Sequence, residues 1–80
     1  MPYTLEGIEA ELSQRIYKLY LNKFGENKSE FARASKCTEA TIRRVLLNKQ
    51  GITINLLLRI AKALDVEVSD LLKGLSLPIN

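Results

Sequence analysis

The positive charge of this sequence is concentrated between residues 28 and 50, where two neighbouring arginines, Arg43 and Arg44, offer forked hydrogen-bond donors. This segment has a charge balance of +4, whereas residues 1–27 sum to −1 and residues 51–80 to zero. Its basic residues are Lys28, Arg33, Lys36, Arg43, Arg44 and Lys49, and its acidic residues are Glu30 and Glu39. A local basic field attracts a polyanion, because each neutralised phosphate releases condensed counterions. A solvated basic face explains the charge alone equally well.

The basic segment also has the pattern of two short amphipathic helices joined by a tight turn. The first of these helices is predicted to begin near Lys28 or Ser29 and to bury Phe31, Ala32 and Ser35. Residues 36–38 form the break that follows it. The elements that position the two arginines are therefore short and local.

The second helix of the pattern is predicted from about Glu39 to Leu47, with Thr38 as its N-cap. Helical residues advance by about 100° each, so the apolar and exposed faces separate. Ile42, Val45 and Leu46 are expected to face the core, and Ala40, Arg43, Arg44 and Leu47 to project beside or away from it. Two such helices with base-reading side chains on the second form a helix-turn-helix pattern, which points to DNA.

Helix signals also dominate the flanking segments. A first helix is predicted from its N-cap Thr4 to Gly25, a fourth between Thr53 and Asp65, and a short fifth with Ser69 as its cap and Gly74 as its end. The fourth helix is expected to bury Ile54, Leu57, Leu58, Ala61 and Leu64 and to turn Arg59 and Lys62 outward, with Val66 and Val68 in an extended link after it. No alternating strand remains. The sequence predicts a compact all-α fold, with one domain over residues 1–80, a core of about 5–74 and an apolar tail at 75–80.

Composition disfavours several classes of function. The chain has one cysteine and no histidine, so we expect no disulfide within the chain, no metal site and no cofactor. Paired carboxylates and a glycine-rich phosphate loop are not identifiable either, so we expect no enzyme. No segment reaches the roughly 18 apolar residues of a membrane span, and the start lacks the features of a signal peptide, which favours a cytoplasmic protein.

Residues 5–74 resemble the lambda-repressor-like family of helix-turn-helix regulators, also called the Cro or xenobiotic-response-element type. The resemblance is carried by Phe31 and Ala32, by the apolar position of Cys37 after the turn, and by Ile42 and Val45. A second signature is LLLRIAKALDVEVSDLL at residues 56–72, which is similar to the family's fourth and fifth helices. The chain departs from the family at Lys36, where the turn usually has glycine, and in the loop LNKQG after the third helix.

The resemblance implies that a recognition helix, from about Thr38 to Leu47, enters the major groove while the preceding helix crosses the DNA backbone. The base-contacting side chains would then be Glu39, Ala40, Thr41, Arg43 and Arg44, and we favour Arg43 for guanine. The phosphate-contacting residues would be Lys28, Ser29, Thr38, Asn48, Lys49 and Thr53. Helix capping alone also accounts for Glu39 and Thr53, and Arg44 could reach a base or a phosphate.

The predicted function is that of a sequence-specific regulator of transcription, more specifically a homodimeric repressor that binds an inverted repeat in double-stranded DNA. Apolar residues near the end of the chain are expected to form the dimer contact or to fold back on their own domain. They are Leu71, Leu72, Leu75, Leu77 and Ile79, with Leu56 as a further candidate. The alternative is a protein-interaction module, for example one that binds a partner as an antitoxin does, with DNA binding secondary or absent.

Overall fold

The computed structural model describes residues 5–75 of the chain, with side chains described from residue 7. Within this range it contains five helices and no strand: α1 Leu5–Phe24, α2 Lys28–Ala34, α3 Glu39–Leu46, α4 Ile54–Leu64 and α5 Val68–Leu72. The all-α, five-helix prediction is confirmed. The predicted cap Thr4 and the tail residues Leu77 and Ile79 lie outside the described residues.

The long helix α1 is the support against which the other four helices pack. It buries Leu12, Ile16 and Tyr20, which recur at four-residue steps and so lie on one face. The Tyr20 ring stacks on Phe31 of α2 with a centroid separation of 5.3 Å. Gly25, with φ of 56°, ends α1 in the left-handed conformation that glycine adopts without strain. These contacts hold α2 against α1 and thereby set the place of the turn that follows.

The apolar face of α4 differs in part from the predicted one. Ile54 is 78% exposed and Leu58 is 53% exposed, although both were expected in the core. The buried residues are Leu56, Leu57, Ile60, Ala61, Ala63 and Leu64. Apolar residues cover more than one side of this helix, so periodicity alone does not decide which side packs. The resulting rotation brings Arg59, predicted to face outward, to a half-buried position against the α2–α3 turn.

The fifth helix begins earlier than predicted. Its N-cap is Glu67, which makes no capping hydrogen bond with its side chain, and Val68 is the first helical residue rather than part of an extended link. Ser69 therefore lies inside the helix. Helix α5 packs on α1 and α4 through Leu71, whose side chain is 1% exposed. Packing of this leucine replaces the local cap signal as the factor that sets where α5 starts.

Candidate nucleic-acid interface

Helices α2 and α3 form a closely packed pair around small and β-branched side chains. Ala32 of α2 is 4% exposed, and Ile42 and Val45 of α3 are fully buried. A small residue at position 32 lets the two helices approach closely, and the branched side chains fill the remaining space. The core face predicted for α3 is confirmed, so its opposite face is the one that bears Ala40 and the two arginines.

The turn between α2 and α3 closes α2 with two backbone hydrogen bonds. The amide of Lys36 donates to the carbonyl of Arg33, and the amide of Cys37 donates to that of Ala32, at 3.1 and 3.0 Å. This is the Schellman arrangement, which requires a left-handed residue after the cap. Lys36 takes that conformation with φ of 56°, where related proteins usually have glycine.

Arg59 of α4 supports the same turn from the other side. Its Nη1 donates to the Lys36 carbonyl at 2.6 Å. A charge-assisted hydrogen bond to a left-handed residue stabilises a backbone conformation that is unfavourable for lysine. Arg59 therefore has a role in the helix-turn-helix that the sequence did not indicate, because the two residues are 23 positions apart.

Side-chain caps begin both helices of the pair. Thr38 Oγ1 accepts from the amide of Thr41 at 3.1 Å, which confirms the predicted N-cap of α3, and donates to Thr41 Oγ1 at 2.9 Å. Asn27 Oδ1 accepts from the amide of Glu30 at 3.0 Å and caps α2. The sequence analysis missed Asn27, although asparagine just before a helix start is a recognisable capping signal. The caps fix the α2 start and the α3 start on one surface.

Glu39 joins the start of α2 to the exposed face of α3. Its Oε1 accepts from Ser29 Oγ at 2.8 Å, and its Oε2 lies 3.1 Å from Nη2 of Arg43. The side chains of Arg43 and Glu39 are 56% and 41% exposed, so solvent screens this ion pair and it adds little stability. Its main consequence is geometric: a predicted phosphate-binding residue, a predicted base-reading arginine and the carboxylate between them form one hydrogen-bonded chain.

Arg44 is held by a different partner, which the sequence analysis did not name. Its Nε donates to Oε1 of Gln50 at 2.6 Å. Gln50 lies in the loop after α3, where Asn48 adopts φ of 55° and the amide of Lys49 donates to the Arg44 carbonyl at 2.7 Å. Asn48 and Lys49 are exposed beside the arginine-bearing helix.

Two other predicted phosphate ligands have structural contacts of their own. Thr53 Oγ1 accepts from the amide of Leu56 at 3.1 Å and caps α4, as the sequence predicted. Lys28 is half-buried, and its Nζ lies 5.9 Å from the centroid of the Tyr20 ring, a cation–π distance. The hydroxyl of Thr53 is thus used within its own helix, and the lysine stem covers the aromatic core beside the start of α2.

Cys37 has the character of a core-edge residue. It is half-buried and packs against the hydrophobic core. Burial raises the pKa of its thiol, and the nearby Arg59 charge lowers it by a smaller amount. The thiolate is therefore scarce near neutral pH, as for an unreactive cysteine.

The residues proposed for a dimer contact divide into two groups. Leu71 is 1% exposed and Leu56 is 5% exposed, so both belong to the core of their own chain and cannot supply an exposed contact. Leu75 is half-buried against the same core, in line with the alternative that this region folds back on its own domain. Leu72, at 40% exposed, is the one described member of the set that presents a large apolar surface to solvent.

None of the helices in the described part of the chain is long and apolar enough to cross a lipid bilayer. Comparison of the sequence with curated proteins and with solved structures finds no match. A family model described as the Cro/C1-type helix-turn-helix DNA-binding domain matches residues 20–73. The match spans the end of α1 and all of α2 to α5, including the turn, the recognition face and the loop described above. The chain belongs to the Cro/C1-type helix-turn-helix DNA-binding domain family.

Proposed function

We propose that this protein regulates transcription by binding a specific double-stranded DNA sequence through the major groove, as a dimeric repressor on an inverted repeat. The observation that carries the proposal is the exposed face of α3, which presents Ala40, Arg43 and Arg44 on a helix locked by Ile42 and Val45. A rigid helix with forked donors on its free face has the shape and chemistry needed to bind base edges in that groove.

Charge and helix geometry support the phosphate contacts of the same proposal. The amides at the start of α2 and the hydroxyl of Ser29 lie beside the recognition face through the contact with Glu39. A helix start favours an anion, because its free amides and its dipole are both positive there. Lys28, Thr38, Asn48, Lys49 and Thr53 complete the proposed set of backbone contacts. On this model Glu39, Ala40 and Thr41 enter the groove first and Arg43 contacts guanine.

Dimerisation is part of the proposal, because a single unit contacts too few base pairs for selective binding. The symmetric half-sites would lie about 34 Å apart. Leu72 and the tail residues Leu77 and Ile79 are the candidates that remain for the contact between subunits. The protein would act in the cytoplasm, where bacterial and phage operators are accessible.

The test is selection of bound duplexes from a random DNA pool at about 150 mM salt, followed by sequencing, because weak non-specific binding fades at that ionic strength. We expect an enriched inverted repeat. Arg43→Ala should weaken binding to it by about 1–3 kcal/mol and relax the preference at one base pair of each half-site. Lys62→Ala removes the same charge from an exposed position on α4 and serves as the control. Binding without any enriched sequence would contradict the proposal.

A protein-interaction module is the second candidate, and the exposed aliphatic side chains favour it. Ile54, Leu58 and Leu72 are 78%, 53% and 40% exposed, and large exposed apolar groups often mark contact surfaces. Replacing both Arg43 and Arg44 with alanine separates the two functions. Loss of DNA binding with loss of biological activity supports the regulator, whereas activity retained by this variant supports the interaction module.

A further inference from the structure

We propose that Gln50 is a positioning residue that aims the guanidinium of Arg44 at a DNA phosphate. The inference rests on the proposed function and assigns a role to a loop residue outside the predicted contact set. The Gln50 side chain accepts from Nε of Arg44 at 2.6 Å, which uses the inner nitrogen of the guanidinium. The outer edge, formed by the two terminal nitrogens, is left to donate its parallel hydrogen bonds to an anion.

The loop holds Arg44 at both its backbone and its side chain. The amide of Lys49 donates to the Arg44 carbonyl at 2.7 Å, and Gln50, the next residue, accepts from the Arg44 side chain. Asn48 adopts the left-handed conformation that this closure needs, and its Oδ1 lies 3.5 Å from Ser13 Oγ of α1. Gln50 is half-buried, so its own side chain is restricted. The acceptor is thus part of a closed loop rather than a free surface amide.

The two arginines differ in how their charge is compensated. Glu39 contacts Arg43 with a carboxylate at 3.1 Å, which neutralises the guanidinium and occupies one terminal nitrogen. Gln50 is neutral, so Arg44 keeps its full positive charge while its orientation is restricted. A charged fork with an open edge suits a phosphate, whose negative charge is present at every base pair. The structure therefore assigns phosphate contact to Arg44 and leaves base contact to Arg43.

Restricting Arg44 before binding lowers the entropy that a long side chain loses when it contacts DNA. Removing the Gln50 contact should accordingly weaken binding without changing which sequence is preferred. We expect Gln50→Ala to raise the dissociation constant about three- to tenfold, the effect of one hydrogen bond to a charged group at an exposed site. The same loss should occur on every operator variant, because a phosphate contact carries no base information.

The experiment is a double-mutant cycle of full-length Gln50→Ala and Arg44→Ala, with dissociation constants measured on the selected operator and on single-base variants over a range of salt concentrations. Arg44→Ala should reduce the slope of log affinity against log salt by about 0.9, the value for one phosphate. Gln50→Ala should have no further effect in the Arg44→Ala background. Gln14→Ala, an exposed glutamine of α1, is the matched control and should bind as the parent protein does.

Lysine has no Nε donor, so Arg44→Lys tests the same contact from the other side. Gln50→Ala should leave the affinity of the Arg44→Lys variant unchanged, and this background remains informative if Arg44→Ala folds poorly. Equal losses from Gln50→Ala in all backgrounds, or a base preference altered by Gln50→Ala, would overturn the positioning role. Absence of sequence-selective binding by the parent protein would overturn the proposed function and this inference together, whereas an additive cycle on a selective parent overturns the inference alone.

Discussion

The turn between α2 and α3 makes a quantitative prediction about stability. Lys36 has φ of 56° and an exposed side chain. An L-residue in this region costs about 1–2 kcal/mol, and glycine removes that penalty. Glycine also broadens the unfolded ensemble, which offsets about 0.4–1 kcal/mol. We therefore expect Lys36→Gly to raise the free energy of unfolding by about 0.5–1 kcal/mol, which moves the melting temperature of a domain this size upward by about 2–8 °C.

Urea unfolding followed by circular dichroism measures this change directly. Lys36→Ala is the matched control, since it removes the same charge and side chain but keeps the penalty for positive φ; it should change stability little. The Arg59 contact is made to the backbone carbonyl of residue 36 and survives both substitutions. A Lys36→Gly variant no more stable than Lys36→Ala, with an unchanged denaturant slope, would show that the left-handed conformation carries no penalty here and would refute the reasoning.

Three further predictions concern single side chains. The hydroxyl of Tyr20 is buried without a hydrogen-bond partner, so Tyr20→Phe should raise the free energy of unfolding by about 1 kcal/mol in urea titrations; a loss of that size would reveal a partner for the hydroxyl. Glu39→Gln removes the negative charge beside Arg43, so it should tighten binding to random-sequence DNA about threefold at 50 mM salt and far less at 0.5 M, where screening is strong; equal effects at both concentrations would exclude an electrostatic origin. Burial raises the pKa of the Cys37 thiol, so alkylation by iodoacetamide at pH 8 should be slower in the folded protein than in urea, and equal rates would contradict the burial.

Local signals in the sequence predicted most of the fold. Thr38 and Thr53 were predicted as caps and each accepts the expected amide, because a capping bond spans only three residues. The apolar steps of α3 likewise predicted that Ile42, Val45 and Leu46 are buried. These predictions succeeded because each depends on chemistry within one or two helical turns.

Predictions that depended on distant neighbours were less successful. The start of α5 was placed at Ser69, but packing of Leu71 against α1 and α4 begins the helix at Val68. Leu71 was assigned to a subunit contact because no place in the core was evident, yet it is almost fully buried. An apolar side chain near the end of a chain looks the same in sequence whether it packs inward or outward.

The sequence by itself determined the five helices, their main caps, the basic segment at residues 28–50 and the family, because these follow from local pattern. Only the tertiary structure decided which apolar side of α4 is buried and that Arg59 supports the turn at Lys36. It also decided the partners of the two arginines, Glu39 for Arg43 and Gln50 for Arg44. The physical reason is that the rotation of a helix and the reach of a long side chain depend on where other elements lie, and one-dimensional periodicity does not specify that.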